Sequence, residues 1–363
     1  MLPIKIKEEW VEDLKLNSKR IALAECKEEV DRVPIYLTFG GYWTANFAGY
    51  DNDVYFMDKS AQLDSQLKLS KRFYGAGKGA GYGLTGIFLD PGVITEASAL
   101  GGEVHYDKES VPWVKPILND YDDIKKLKKV DFNTGILKSL IDQYKWLKSK
   151  GYKPGFYPGI GPLDTAALLR GANNLLTDMH TNEKWVKELV DICADAMISI
   201  FRKEERLNGG KLPGNRVLIG DDYPGMIGPE NFKKFVYPYL KKIYESMDSS
   251  YKRWFHCDAD QAEYLVEYLI ELGVDVFFAM SSKVNLRRIR KKFGKNICLC
   301  GNVTTMNLLN GTPESVEEEC LNLMKDLDAR KGAFILCPGG EIIKRTPEEN
   351  IDALIFSIFK YQD

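Results

Sequence analysis

The sequence contains no long apolar run and carries little net charge. No stretch of about 18 consecutive apolar residues occurs, so no transmembrane helix is predicted. Lysine and arginine total 50 against 52 aspartate and glutamate residues, and the formal charge of −2 gives no general attraction to nucleic acid or to an anionic membrane. Residues 1–5 lack the apolar segment of a signal peptide. We therefore expect a cytoplasmic protein without nucleic-acid or membrane partners.

Cysteine and histidine are also scarce. Seven cysteines in 363 residues, an odd number without a dense pattern, predict reduced thiols and no disulfide framework. Only three histidines occur, and one of them, His256, follows an apolar run and precedes Cys257 and Asp258. Potential metal ligands and proton carriers at the end of an apolar run are typical of a buried strand that opens into a reaction site.

The sequence is rich in short apolar runs that alternate with amphipathic helical stretches. Capping residues and first-turn prolines mark the helix starts, as at Thr312 and Thr346, and Asp260 is predicted to cap another helix. A helix that starts at Pro229 is predicted to reach Met247. We count eight apolar runs: 33–39, 85–90, 154–159, 217–222, 253–258, 275–280, 297–302 and 332–337.

Eight repeats of strand and helix predict an α/β fold of the closed (β/α)₈ barrel type, with an open doubly wound sheet as the alternative. The insertions after the first and second strands are long, and we expect extra helices within 120–150. Residues 1–32 are predicted to form a helical segment that packs on the barrel. No linker divides the chain, so the prediction is a single domain that spans 1–363.

In such barrels the reaction takes place on the loops at the carboxyl ends of the strands. Because neighbouring residues of a strand face opposite sides, His256 and Asp258 should share one face and Cys257 should point away. A packing role for a lone histidine and turn chemistry for paired aspartates are the structural alternatives. The predicted catalytic residues at these strand ends are His256, Asp258, Asp90 and Asp222.

An ordered set of motifs resembles the uroporphyrinogen decarboxylase superfamily. The set consists of GIFLD at 86–90, EASALGGEV at 96–104, GIGP at 159–162, GVD at 273–275, GNV at 301–303 and TPEENI at 346–351. Each motif is weak alone, but together they cover nearly the whole chain. The resemblance implies the same barrel fold and one of two activities.

The decarboxylase branch of this superfamily binds a tetrapyrrole with many carboxylates through arginines in the turn after the first strand. That turn, 38–43, contains no arginine here, and the decarboxylase histidine near the last strand falls on Gly340. Asp90 does match the central aspartate of that branch. The missing cations disfavour a polycarboxylate substrate, because uncompensated buried ions are costly.

The second branch comprises corrinoid-dependent methyltransferases, whose thiol-activating members hold zinc with a His-x-Cys pair and a late cysteine. The resemblance places His256 at the first ligand position, Asp258 at the first cysteine position and Gly340 at the late one. Zinc also accepts carboxylate oxygen, and a catalytic site needs only three protein ligands. The candidate zinc ligands are therefore His256 with Asp258, Cys337 or Glu341, and Asp221 or Asp222, and an acid pair without metal is the alternative.

This branch implies a methyltransferase that moves a methyl group from a small methylated donor to the cobalt of a separate corrinoid-binding protein. Cobalt(I) is itself a strong nucleophile, so the enzyme would activate the leaving heteroatom with a metal or an acid. Aromatic strand ends favour an aryl methyl ether. Tetrapyrrole decarboxylation and methylcobalamin:thiol transfer are the alternative reactions, and the superfamily resemblance also points to a homodimer. The predicted substrate-binding residues are Tyr36, Trp43, Tyr157, Tyr223 and Asn302.

Overall fold

The structure is a computed structural model that describes residues 7–75, 84–156 and 159–361. Its strands are β1 (Phe88–Leu89), β2 (Glu103–His105), β3 (Trp113–Lys115), β4 (Gly155–Phe156), β5 (Arg216–Gly220), β6 (Lys252–Cys257), β7 (Val276–Ala279), β8 (Cys298–Val303) and β9 (Phe334–Pro338). Its helices are α1 (Glu8–Leu14), α2 (Asn17–Glu25), α3 (Gly41–Ala48), α4 (Asn52–Met57), α5 (Lys59–Arg72), α6 (Thr95–Ala99), α7 (Gly135–Ser149), α8 (Pro162–Arg170), α9 (Ala172–Thr181), α10 (Glu183–Leu207), α11 (Gly228–Phe235), α12 (Tyr237–Ser246), α13 (Leu265–Glu271), α14 (Leu286–Phe293), α15 (Thr305–Asn310), α16 (Pro313–Asp326) and α17 (Glu348–Ser357).

The barrel wall is built from parallel strands in chain order. Strands β5 to β9 form one continuous parallel sheet, which Ile35 extends by a bridge to Leu336 on β9. At the other edge Ile160 bridges to Gly220 on β5, and β4 pairs with β1 in parallel. Each of the eight predicted runs thus contains a strand or a bridge. The strand order never reverses, as it would in a doubly wound sheet, so the predicted (β/α)₈ barrel is confirmed.

Side chains of the wall alternate between the barrel interior and the helix layer. Trp254, Phe278 and Cys337 belong to the interior cluster, whereas Phe255 and Cys257 pack in the outer core. Because alternate residues share a face, His256 follows Trp254 into the interior and Cys257 faces the helices. The prediction that His256 and Asp258 share one face and that Cys257 points to the other is therefore confirmed.

Long insertions follow the first three strands rather than only the first two. Helices α3 to α5 follow the Ile35 segment, and α6, the antiparallel hairpin β2–β3 and α7 follow β1. Helices α8 to α10 then follow β4, and α10 alone has 25 residues. The extra helices predicted within 120–150 are a 3-10 helix at Tyr121–Lys126 and α7, whereas the hairpin and the third insertion were not predicted.

Helix α2 closes the amino-terminal end of the barrel. Ile21 and Ala24 belong to the interior cluster. The Glu25 carboxylate accepts a hydrogen bond of 2.6 Å from Trp254 Nε1 and forms an ion pair with Arg216. The buried carboxylate is thus matched by a cation and an indole donor, as burial requires.

Helix α5 donates and accepts hydrogen bonds along β1 on the side away from β4. Gln66 Nε2 donates to the Phe88 carbonyl at 3.0 Å, and the Phe88 amide donates to Gln66 Oε1 at 2.9 Å. Gln62 forms the same two-way contact with the main chain of Asp90, at 2.7 and 3.2 Å. Two side-chain amides therefore act as a partner strand and position Asp90.

Among the described helices, none combines the length and the apolar character that crossing a membrane requires.

Candidate active site

A cleft of about 1270 Å³ opens at the carboxyl ends of the barrel strands. Aromatic side chains, among them Tyr36, Tyr55, Phe88 and Phe278, line much of its wall. The ionisable residues that line it are Asp90, Asp164, Asp222, His256, Asp258 and Glu341. Among the described residues no lysine or arginine lines this cleft. The site is therefore acidic and aromatic.

Asp222, His256 and Asp258 form a compact cluster in this cleft. His256 Nε2 lies 3.2 Å from Asp258 Oδ1 and 3.9 Å from Asp222 Oδ1. One ligand atom from each residue lies within 4.8 Å of the other two. Burial raises the pKa of Asp258, an effect that His256 opposes and Asp222 reinforces. The cluster can therefore hold a cation or keep a proton on Asp258.

Main-chain contacts position the members of the cluster. Asp222 Oδ1 accepts a hydrogen bond of 2.7 Å from the Asp258 amide, which joins the ends of β5 and β6. The His256 ring lies 5.0 Å from the Phe278 ring. A Cβ atom at Gly220 would lie 3.1 Å from His256 Cδ2, so the absent side chain makes room for the imidazole.

Asp164 and Asp221 tie the start of α8 to the end of β5. Asp221 accepts hydrogen bonds from the amides of Leu163 and Asp164 at 3.3 and 2.8 Å. Asp164 in turn accepts from the amides of Asp222 and Tyr223 at 2.9 Å each. Burial raises the pKa of Asp221 to about 7 and that of Asp164 well above its usual range. This reciprocal pair holds the main chain that carries Asp222.

The cluster fits a small divalent cation. Tetrahedral zinc bound at about 2.0–2.2 Å holds its ligand atoms roughly 3.3–3.5 Å apart, and the observed separations of 3.2 and 3.9 Å from His256 Nε2 bracket that range. Three ligands leave the fourth position open, as in catalytic sites. His256 Nδ1 is buried and finds no hydrogen-bond partner among the described residues, so Phe278 and Gly220 orient the ring instead of the usual second-nitrogen contact.

A second acidic group faces the cleft from the side of the first strand. Asp90 is 6% exposed, and it accepts hydrogen bonds from the Tyr55 hydroxyl at 2.9 Å and the Gly92 amide at 3.0 Å. Burial raises its pKa, and the two hydrogen bonds oppose that rise. A Cβ atom at Gly41 would lie 2.6 Å from Asp90 Oδ2, and one at Gly40 would lie 2.0 Å from Glu341 Oε2. The two glycines therefore let both carboxylates approach the first-strand turn.

Comparison with known proteins identifies the family. The family model for uroporphyrinogen decarboxylase matches residues 17–361. The chain belongs to the uroporphyrinogen decarboxylase family. It is 26% identical over 254 residues to the methylcobamide:CoM methyltransferase MtbA of Methanosarcina acetivorans, which covers 68% of this chain and 71% of that protein.

Relatives of both activities match this family member. It is 21% identical over 338 residues to the uroporphyrinogen decarboxylase of Trichodesmium erythraeum, which covers 90% of this chain and 91% of that protein. A solved methyltransferase from Methanosarcina mazei superposes with a TM-score of 0.73 at 18% identity and covers 94% of this chain and 98% of that one. That likeness shows the shared fold. The choice between activities depends on the residues of the site.

The structure brings some predicted site residues together and places others elsewhere. His256, Asp258 and Asp222 form the cluster, and Asp90, Glu341 and Tyr36 line the same cleft. Two of the predicted zinc ligands lie apart from the cluster. Asp221 is fully buried against α8, and Cys337 is fully buried in the barrel interior.

Three of the predicted substrate-binding residues do not line the cleft, and one lies outside the described residues. Trp43 packs in the core, with its ring 4.9 Å from Phe39 and 5.0 Å from Phe47. Asn302 is buried and donates to the carbonyls of Ser281 and Val284, so it fixes the loop after β7. Tyr223 packs against the outer core. Tyr157 is the residue outside the described ranges.

Several residues of the site carry no recognisable sequence pattern. Asp164 lies in the first turn of α8, where an acidic residue is common because it interacts favourably with the helix dipole. That local pattern does not indicate its hydrogen bond with Asp222, 58 positions away. Tyr55 and Gln66 lie on α4 and α5 of the first insertion, far from any strand end in the sequence. Only the folded chain shows that Tyr55 donates to Asp90 and that Gln66 pairs with β1.

Proposed function

We propose that the protein catalyses methyl transfer from a small methylated donor to the cobalt of a separate corrinoid-binding protein. The observation that supports this proposal most is the cluster of Asp222, His256 and Asp258 at the mouth of the barrel. The methyltransferase relatives favour the reaction class, and the cluster supplies groups that can activate a leaving heteroatom.

Each residue of the cluster has a separate role in leaving-group activation. Asp222 fixes the main chain of Asp258 through the 2.7 Å hydrogen bond, and His256 holds the Asp258 carboxylate at 3.2 Å. Without a metal, Asp258, whose pKa is raised by burial, is the group that can donate a proton to the heteroatom as the methyl group leaves. Alternatively, the same three residues would hold zinc, with Asp258 as an ionised ligand, and zinc would supply Lewis acidity at that heteroatom.

The charge of the cleft disfavours the decarboxylase activity of other family members. A tetrapyrrole that carries many carboxylates needs cationic partners, because each uncompensated ion costs several kcal/mol on burial. The cleft presents five carboxyl groups and, among the described residues, no lysine or arginine. A neutral or cationic donor suits this surface better than a polyanion does.

An aryl methyl ether is our proposal for the donor. The predicted residue Tyr36 lines the cleft, together with Phe88 and Phe278. Aromatic faces bind an aryl ring in offset or edge-on arrangements. Protonation or metal binding at the ether oxygen would turn it into a better leaving group for the attacking cobalt.

Metal content tests the cluster directly. The purified protein, dialysed against one equivalent of zinc, should retain close to one zinc ion per chain, as measured by inductively coupled plasma mass spectrometry. His256→Ala should lose that zinc, because two carboxylates alone hold zinc weakly. Asp260→Ala is the matched control, because Asp260 lies next to the cluster but binds Ser281 and Lys283. Equal zinc in all three proteins would contradict the proposed ligand set.

A further inference from the structure

A second cavity lies between the barrel wall and the helix layer. Helices α7 and α10 cover it. Its helix-side lining includes Leu140 and Ile141 from α7 and Met197, Ile200 and Phe201 from α10. Phe132 and Lys203 also line it, and the Lys203 ammonium group stands 5.1 Å from the Phe132 ring.

The second cavity lies at the seam between β4 and β5. Within the described residues, the only pairing across this seam is the bridge from Ile160 to Gly220 at the top. Below that bridge the side chains of Phe156 and Leu218 line the cavity. Tyr36 and Trp254, which pack in the barrel interior, line it as well, so the cavity reaches from the interior side of the wall to the helix layer.

The second cavity adjoins the active-site cleft. Tyr36, Phe88, Gly159 and Leu218 line both. Tyr36 stands between them, with its ring 5.5 Å from Trp254 in the second cavity and 5.3 Å from Phe278 in the cleft. A molecule whose reactive end lies at His256 and that extends toward α10 would pass beside Tyr36 and Leu218.

The lining of the second cavity suits an uncharged chain. Most of its residues are aliphatic or aromatic. The acidic exceptions, Glu96 and Glu204, are buried, and burial raises their pKa to about 7 and about 8. The cationic exceptions are Lys203, whose ammonium group lies over the Phe132 ring, and Arg216, which is already paired with Glu25. Protonated carboxyl groups and a guanidinium that is already paired produce only a weak electrostatic field in the cavity, so they would not attract an ionic group.

We infer that the methyl donor is an elongated molecule, with its methylated heteroatom at the Asp222–His256–Asp258 cluster and an apolar alkyl or aryl tail in the second cavity. This inference rests on the proposed function for the identity of the reactive end. The tail would displace water from apolar walls, which is the main favourable contribution to binding in such pockets.

Binding of a homologous series of ethers tests the tail site without any corrinoid. The probes are 4-methylanisole, 4-propylanisole and 4-pentylanisole, titrated into the zinc-loaded protein by isothermal calorimetry. Each added methylene should tighten binding by roughly fourfold. Ile200→Trp fills the second cavity from α10 and should abolish this gradient, while the affinity for 4-methylanisole stays within about twofold of wild type. Leu176→Trp is the control, because Leu176 is an exposed residue of α9 outside the second cavity, and this variant should keep the increase of affinity with chain length.

Two results would overturn the inference. One is equal affinity of wild type for all three ethers, and the other is an unchanged gradient in the Ile200→Trp variant. If that variant does not fold, Met197→Phe fills the same space from the next turn of α10 and carries the same expectation. If affinity rises with tail length but no methyl group is transferred to cobalt, only the proposed function is contradicted. If methyl transfer occurs but affinity does not depend on tail length, only the tail site is contradicted.

Discussion

Asp258 carries the chemical difference between this cluster and the zinc thiolate sites that the sequence resembles. Its carboxylate lies 3.2 Å from His256 Nε2, where those relatives have a cysteine. Thiolate is a softer ligand that zinc prefers. We expect Asp258→Cys to bind zinc about tenfold or more tightly, as measured by competition with a chromophoric chelator. Asp260→Cys, two residues away, should leave the affinity unchanged, and an equal gain in both variants would argue against Asp258 as a ligand.

Glu96 gives the protein a pH-dependent stability. Burial raises its pKa from 4.5 to about 7 in the folded chain. An acid whose pKa is higher in the folded chain than in the unfolded chain stabilises the fold at pH values below its unfolded-state pKa. This contribution is lost as the pH rises through the folded-state pKa of about 7. Relative to Glu96→Gln, wild type should lose about 2 to 3 kcal/mol of unfolding free energy between pH 5 and pH 8.

Urea denaturation at four pH values within that interval measures the effect of Glu96. Glu109→Gln, on an exposed residue, serves as the control and should follow the wild-type curve. A constant difference between wild type and Glu96→Gln at all pH values would contradict the raised pKa.

At the residue scale, strand alternation was enough to predict that His256 and Asp258 share a face. The choice between Asp221 and Asp222 could not be made from sequence, because both stand at the end of one strand. The amides of α8, more than 50 residues earlier in the chain, capture Asp221 and leave Asp222 for the cleft. Long-range hydrogen bonds of this kind leave no local pattern.

At the element scale, the side chains of α5 replace a neighbouring strand for β1. Gln66→Met keeps the side-chain volume but removes two hydrogen bonds to Phe88 and one to Tyr55. Loss of such buried contacts should lower the unfolding free energy by about 2 kcal/mol or more in urea denaturation. Lys71→Met, on the exposed face of the same helix, should change stability by less than about 0.5 kcal/mol. Similar losses in both variants would show that helix propensity, and not pairing with β1, is responsible.

Local signals predicted some elements well and others poorly. The Thr312 capping box at the start of α16 forms as predicted. The helix predicted from Pro229 to Met247 is two helices, because Pro238 cannot continue the hydrogen bonding of α11 and instead begins α12. Asp260 was wrongly predicted as a cap, since its carboxylate binds Ser281 and Lys283. The Thr346 side chain makes no cap for α17.

At the scale of the whole molecule, the number and spacing of apolar runs were enough to predict the barrel. The wall follows chain order from Ile35 and β1 round to β9, so the count of eight was decisive. The seam between β4 and β5 was not predictable, because it depends on how α7 and α10 pack over a short strand. The cavity behind that seam therefore appears only in the folded chain.

Methylation of free cob(I)alamin tests the central claim, that the Asp222–His256–Asp258 cluster activates a methyl donor for attack by cobalt. Under anaerobic conditions, zinc-loaded protein is mixed with cob(I)alamin and 4-propylanisole, and the conversion to methylcobalamin is followed by its absorption spectrum. Wild type should form methylcobalamin, and His256→Ala should do so at least about 100-fold more slowly, because leaving-group activation contributes factors of that size. Equal rates for wild type and His256→Ala would contradict the account.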